Sequence, residues 1–131
     1  AITVKHPEVV ETTEDQLITK IKTSMINRML GNRLTEIVQK GNAPFIFAQS
    51  SYSAFQGGLV NLDAFNSVAV SKDAAGLKAA VQAVIAENVR MKKFGFTQTE
   101  LDRVKTNIMT GVEKQFKEKD KTKSTNFVQL Y

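Results

Sequence analysis

The chain has 131 residues, 42% hydrophobic and 24% charged, with a formal net charge of +5 and no cysteine. It is long enough for one domain with a real core, short for two of ordinary size, and too apolar for a disordered chain. The missing cysteines exclude disulfides, thiolate zinc sites and cysteine nucleophiles, and no apolar run approaches the ~18 residues of a membrane-spanning helix.

The opening AITVKHPEVV carries no basic stretch followed by an apolar one, so it does not read as a signal peptide. It also lacks an initiator Met, which points to a mature form or a piece of something longer. The positive excess lies largely in Lys114 to Lys123, where lysines alternate with acids. That pattern reads as a solvated helix face rather than a nucleic-acid surface.

Ala1 to Val10 is partly β-branched, and Pro7 removes a ladder donor, so an edge strand or two short extended pieces is expected. Thr13 with Gln16 forms a capping-box pattern at the start of a long helix, and Glu14 and Asp15 suit its positive end. Its apolar positions run from Leu17 through Ile18, Ile21, Met25, Ile26, Met29, Leu30, Leu34 and Ile37 to Val38. Spacings of three and four predict a core-facing stripe of about six turns. Gly31-Asn32 marks a kink or local loosening within it, and Gly41-Asn42 with Pro44 ends it.

Phe45 to Ser53 and Leu59 to Val70 read as two strands joined through Gln56-Gly57-Gly58, an antiparallel hairpin with one covered and one half-exposed face. Asp73 is the expected cap of a second helix with its stripe on Leu77, Ala80, Val81, Val84, Ile85 and Asn88 to Met91. Gly95 ends that helix. Thr97 to Glu100 is a capping box that opens a third, with apolar residues at Leu101, Val104, Ile108, Val112 and Phe116. The tail Ser124 to Tyr131 turns apolar at its end, as a further helix would begin. An antiparallel sheet with helices packed mainly on one face is an α+β fold.

The residues offer little chemistry. A zinc site needs three or four ligands, and the sole histidine, His6, adjoins a proline near the terminus. A Ser-His-Asp set is improbable for the same reason, and Glu14, Asp15, Glu100 and Asp102 sit in first turns, where the helix dipole accounts for them. Gly57-Gly58 lacks the order of a phosphate-binding loop. Phe45, Phe47, Tyr52, Phe55 and Phe65 could form a stacking platform, but Phe45 to Val70 contains no basic residue, so no nucleic acid is expected as a partner.

Two stretches are more specific. The first holds Met29-Leu30, Arg33-Leu34, Glu36-Ile37 and Ala43-Pro44-Phe45. The second holds Glu87-Asn88, Arg90, Gly95-Phe96-Thr97, Glu100-Leu101 and Lys105. Together, and in this order, they resemble the pitrilysin/insulinase family of zinc metallopeptidases, in particular its long bacterial members. The resemblance implies repeated α+β domains that close like a clamshell around a peptide. It also implies a zinc-bearing N-terminal domain with His-x-x-Glu-His and a later Glu. This chain has one histidine and so carries no such motif. The family's substrate-clamping domain has an Arg followed seven residues later by a Tyr. Laid on this sequence those positions are Val38 and Phe45, and no Arg lies between Leu34 and Tyr52.

The resemblance therefore implies the second, non-zinc domain, spanning residues 1–131 as a whole domain or a fragment of one. On it the chain has no catalytic residue, no cofactor of its own and no metal ligand, with zinc belonging to the parent's N-terminal domain. Its partners would be other domains of one polypeptide or a zinc-bearing subunit, with peptide substrate met indirectly and a cell-envelope or periplasmic location. Arg33, Glu36, Phe45 and Phe47 are the implied domain-contact residues, with Phe45 and Phe47 anchoring the strand to the helices. The other reading is a free-standing peptide-binding module or partner subunit, adding a strand at the Phe45 to Ser53 edge.

Overall fold

The long helix expected from the Thr13 capping box runs unbroken from Glu14 to Gln39 (α1) in the computed structural model, which describes residues 1–10 and 12–118. The Thr13 hydroxyl accepts from the Gln16 N–H, and the Gln16 side chain accepts from the Thr13 N–H. Gly31 causes no break. It lies in the middle of the helix, and the Thr35 hydroxyl donates to its carbonyl at 2.9 Å. The stop comes at Gly41, whose φ of +83° is open to glycine at no steric cost and whose N–H returns to the Val38 carbonyl.

Three strands form one antiparallel sheet in the order β1 (Ile2–Pro7), β3 (Leu62–Ser71), β2 (Phe45–Ala54). The hairpin between β2 and β3 closes through a 3-10 turn, Phe55–Gly58, in which Gln56 and Gly57 take left-handed backbone angles. The second hairpin strand was expected from Leu59. It begins at Leu62, because the turn consumes Leu59 to Asn61. A second helix, α2, spans Leu77–Phe94 and ends on Gly95 at φ +66°. Asp73 is not its cap. The Asp73 carboxylate accepts from the Gly76 N–H at 2.7 Å and closes a preceding turn, so that Gly76 takes the cap position.

The core lies between the sheet and the helices on one face. Leu34 of α1, Phe45 and Ala48 of β2, and Ala80 and Val84 of α2 meet with Ala43, and Ile37, Val38, Ala69 and Ala83 border them. The strand residues on this face are small, Ala48, Ser50, Ser67 and Ala69, which lets the helices approach closely. Within this layer the Ser50 and Ser67 hydroxyls are 2.9 Å apart, and the Asn88 amide of α2 donates to Ser67 at 2.8 Å, so the buried hydroxyls are satisfied. The α+β architecture expected from the sequence is the one observed.

The first turns of α1 depart from expectation. Leu17, Ile18 and Ile21 are exposed, Leu17 at 52%, and burial begins at Met29. At ~1.5 Å rise per residue a helix of this length reaches ~39 Å, beyond the ~33 Å of a ten-residue strand. Its apolar stripe is therefore longer than the core of this sheet.

The described chain forms two compact units, Ala1–Thr97 and a second that begins at Gln98. The second contains α3, Gln98–Glu118, whose first turn is braced by the Gln98 amide donating to the Asp102 carboxylate at 2.7 Å. The expected turn to apolar residues at Ser124 to Tyr131, and the lysine-rich run beyond Glu118, lie outside the described residues.

Candidate functional site

α1 and α2 pack on one face of the sheet and leave the other, which alternation along the ladders identifies. Phe47, Gln49, Ser51 and Ser53 of β2 share it with Ala64, Asn66, Val68 and Val70 of β3 and Thr3 and Lys5 of β1. The Thr3 hydroxyl donates to the Asn66 side-chain oxygen at 2.8 Å across two strands. At one end the 3-10 turn packs on β3, and the Lys5 ammonium stands 4.4 Å over the Phe55 ring. At the other end Phe47 and Val70 are exposed, with Ile46 beside them. The middle is uncharged and hydrogen-bonding, a surface that can meet a polypeptide backbone without selecting side-chain charge.

Phe47 corrects the expectation that it anchors β2 to the helices. Phe45 does so, at 1% exposure, while Phe47 is 51% exposed. Two residues apart, they would share a face in a regular strand. A bulge between them pairs Phe45 with Ser71 and Phe47 with Val70, so one extra residue reverses the alternation.

Arg33 reaches from α1 to the end of α2. Its guanidinium donates to the Gly95 carbonyl at 3.0 Å and lies 4.6 Å over the Phe96 ring. A cation at a helix C-terminus and on an aromatic face is favourable on both counts. Glu36 is exposed on α1, and its backbone carbonyl accepts from Lys40. The four residues implied as domain contacts are thus scattered: Phe45 internal, Arg33 half-buried, Glu36 and Phe47 at the surface.

Sequence reasoning missed two long-range contacts. The Asn27 side chain of α1 makes a two-way bond to the β2 backbone, donating to the Tyr52 carbonyl and accepting from its N–H, both at 2.9 Å. It occupies there the place of a neighbouring strand. In addition His6 lies against the Tyr52 ring, centroids 5.8 Å apart, and the Tyr52 hydroxyl donates to the Asp63 carboxylate at 3.2 Å. The Val9 N–H also donates to that carboxylate. Partial burial, and then the Asp63 charge, push the Tyr52 phenol above its ordinary range. His6 touches the ring rather than the carboxylate, so the three do not form a proton relay. Among the described residues no three His, Asp or Glu side chains gather as metal ligands would. No signal in the sequence linked positions so far apart.

No family model and no curated protein matches the chain. A solved structure does: the periplasmic protease PqqL from Escherichia coli, at a TM-score of 0.76 and 20% sequence identity. The match covers 92% of this chain and 13% of that one. At this identity the likeness shows the fold, and this chain spans a small part of the protease's length.

Proposed function

We propose that this chain is a non-catalytic domain of a pitrilysin-like zinc endopeptidase, shaping the wall of a chamber in which the parent protein degrades peptides or small unfolded proteins. The observation that carries the reading is the fold likeness of nearly the whole chain to one segment of a much longer protease. The two sequence stretches around Arg33 and Gly95 support it. In the fold these meet through the Arg33 bond to the Gly95 carbonyl, a structural role rather than a chemical one.

The surface is also in keeping with a part of something larger. Leu17, Ile18 and Ile21 on α1, and Ile46, Phe47 and Val70 at the sheet's end, are apolar and exposed. Neighbouring domains of the same polypeptide would cover them, with Phe47 and Glu36 at the contact. Zinc belongs to such a neighbour, since this chain has one histidine and no His-x-x-Glu-His. The alternative of a free-standing strand-binding module at the β2 edge has less support, because Asn27 already holds the Tyr52 position on that edge.

The test is an assay of the longest polypeptide whose reading frame contains this segment, on a labelled unfolded protein. Cleavage that stops with a chelator and returns with zinc is expected, while residues 1–131 alone cleave nothing. A reading frame without a His-x-x-Glu-His helix, and a product that cleaves nothing with zinc present, would overturn the proposal.

A further inference from the structure

The backbone parity of β1 shows which way its hydrogen-bonding groups point. The Glu8 N–H donates to the Asn61 carbonyl, continuing the β1–β3 ladder by one pair. Even-numbered residues of β1 therefore face β3, and the N–H and C=O groups of Thr3 and Lys5 face away from it. Pro7 falls on the outward parity, so its missing N–H costs the sheet nothing. Asn27 holds part of the β2 edge, whereas among the described residues no strand lies beyond β1. An uncovered edge of this kind is a template for another strand.

We propose that two copies of this chain associate through β1, as antiparallel neighbours in one continuous six-stranded sheet. The edge is self-complementary. Centred on Val4, the pairing sets Thr3 opposite Lys5 of the second copy and Lys5 opposite its Thr3, so all the outward groups of these residues face one another. Like charges are not opposed, because each lysine faces a threonine and is turned toward its own Phe55 ring. On the helix side the two Val4 side chains meet at the symmetry axis, and Val4 is 50% exposed in the single chain. Ile2 shares a small cleft with Val81 of α2, and Ile85, one turn further on, is also exposed.

The geometry of the sheet leaves room for these residues and little else. The two β3 strands would lie three strand spacings apart, ~14 Å. The α2 helices pack over β3, and helices in contact sit ~8–10 Å apart. The remaining gap is the space that Ile2, Val4 and Ile85 of the two copies would fill. The arrangement is isologous and closes on itself, so it stops at two. It goes beyond the domain reading and does not depend on it.

Sedimentation velocity of the 131-residue chain over a concentration series tests it. A monomer–dimer equilibrium is expected. It should tighten as salt is raised, because each copy carries a net charge of +5. Lys5→Pro removes an outward N–H and no bond to β3, and should weaken the dimer at least about tenfold with an unchanged far-UV spectrum. Val4→Lys, which sets like charges at the axis, should do the same and serves if the proline variant does not fold. A chain that stays monomeric to about 0.5 mM, or a dimer that both variants leave intact, overturns the proposal.

Discussion

Replacing Phe45 and Phe47 separately by alanine should give two very different losses of stability, and the difference measures the bulge in β2. Phe45 is 1% exposed and packed among Leu34, Ala48, Ala80 and Val84. Its truncation removes most of the ~150–250 Å² of a buried ring and leaves a cavity, which places the cost at about 3–5 kcal/mol. Phe47 is 51% exposed. It gives up about half of the transfer term and leaves no cavity, because water fills the space, so its cost is about 0.8–1.5 kcal/mol. For a unit of about 100 residues, a gap of about 2–3 kcal/mol separates the melting temperatures by roughly 10–20 °C. Urea denaturation of both variants, with the slope unchanged, gives the two values directly. Equal costs, or a larger one at Phe47, would mean that the strand is regular and that the register shift between the two residues is wrong.

Two further outcomes rest on the contacts around Tyr52. Asn27→Ala deletes both bonds to the Tyr52 backbone and should cost about 1–3 kcal/mol in denaturant titration. A loss below a few tenths of a kcal/mol would show that solvent serves this strand edge equally well. The Tyr52 phenol is held above its ordinary value of 10.0, first by desolvation and then by Asp63. The folded state thus keeps a proton that the unfolded state gives up. The stabilisation is fully present below pH 10 and is lost as pH rises through the raised value. Of the two tyrosines, the one removed by Tyr52→Phe should be the later to form tyrosinate on a 295 nm titration. A Tyr52 that ionises at or below its ordinary value contradicts the structure.

Much of the fold was legible because its signals are local. The Thr13–Gln16 box and Gly41 set the ends of α1 through bonds that span three or four residues, and such bonds need no tertiary partner. Gly95 ended α2 in the same way. Gly57-Gly58 fixed the hairpin, since the turn requires positive φ. Asp73 closes a turn before α2 instead of capping it, because an Asx-type bond can close a turn as well as start a helix and the two share a sequence pattern.

The candidate site was less legible, because it depends on alternation and on distant pairs. A bulge of one residue reverses the facing of everything beyond it, and nothing in the sequence around Ile46 announces one. A helical stripe says which side of α1 is apolar but not how far the sheet beneath it extends, and the core does not reach Leu17 and Ile18.

By itself, then, the sequence determined the element order, the helix ends, the α+β class and the lack of any His-x-x-Glu-His motif in this chain. These follow from near-neighbour hydrogen bonds, periodicity and composition. Only the tertiary structure decided that Phe47 faces outward, that Asn27 holds Tyr52 on one sheet edge, that Arg33 reaches the end of α2, and that β1 leaves Thr3 and Lys5 with their backbones turned away from the sheet. Each depends on the register between segments far apart in the chain, a quantity fixed when the layers pack and carried by no single stretch of residues.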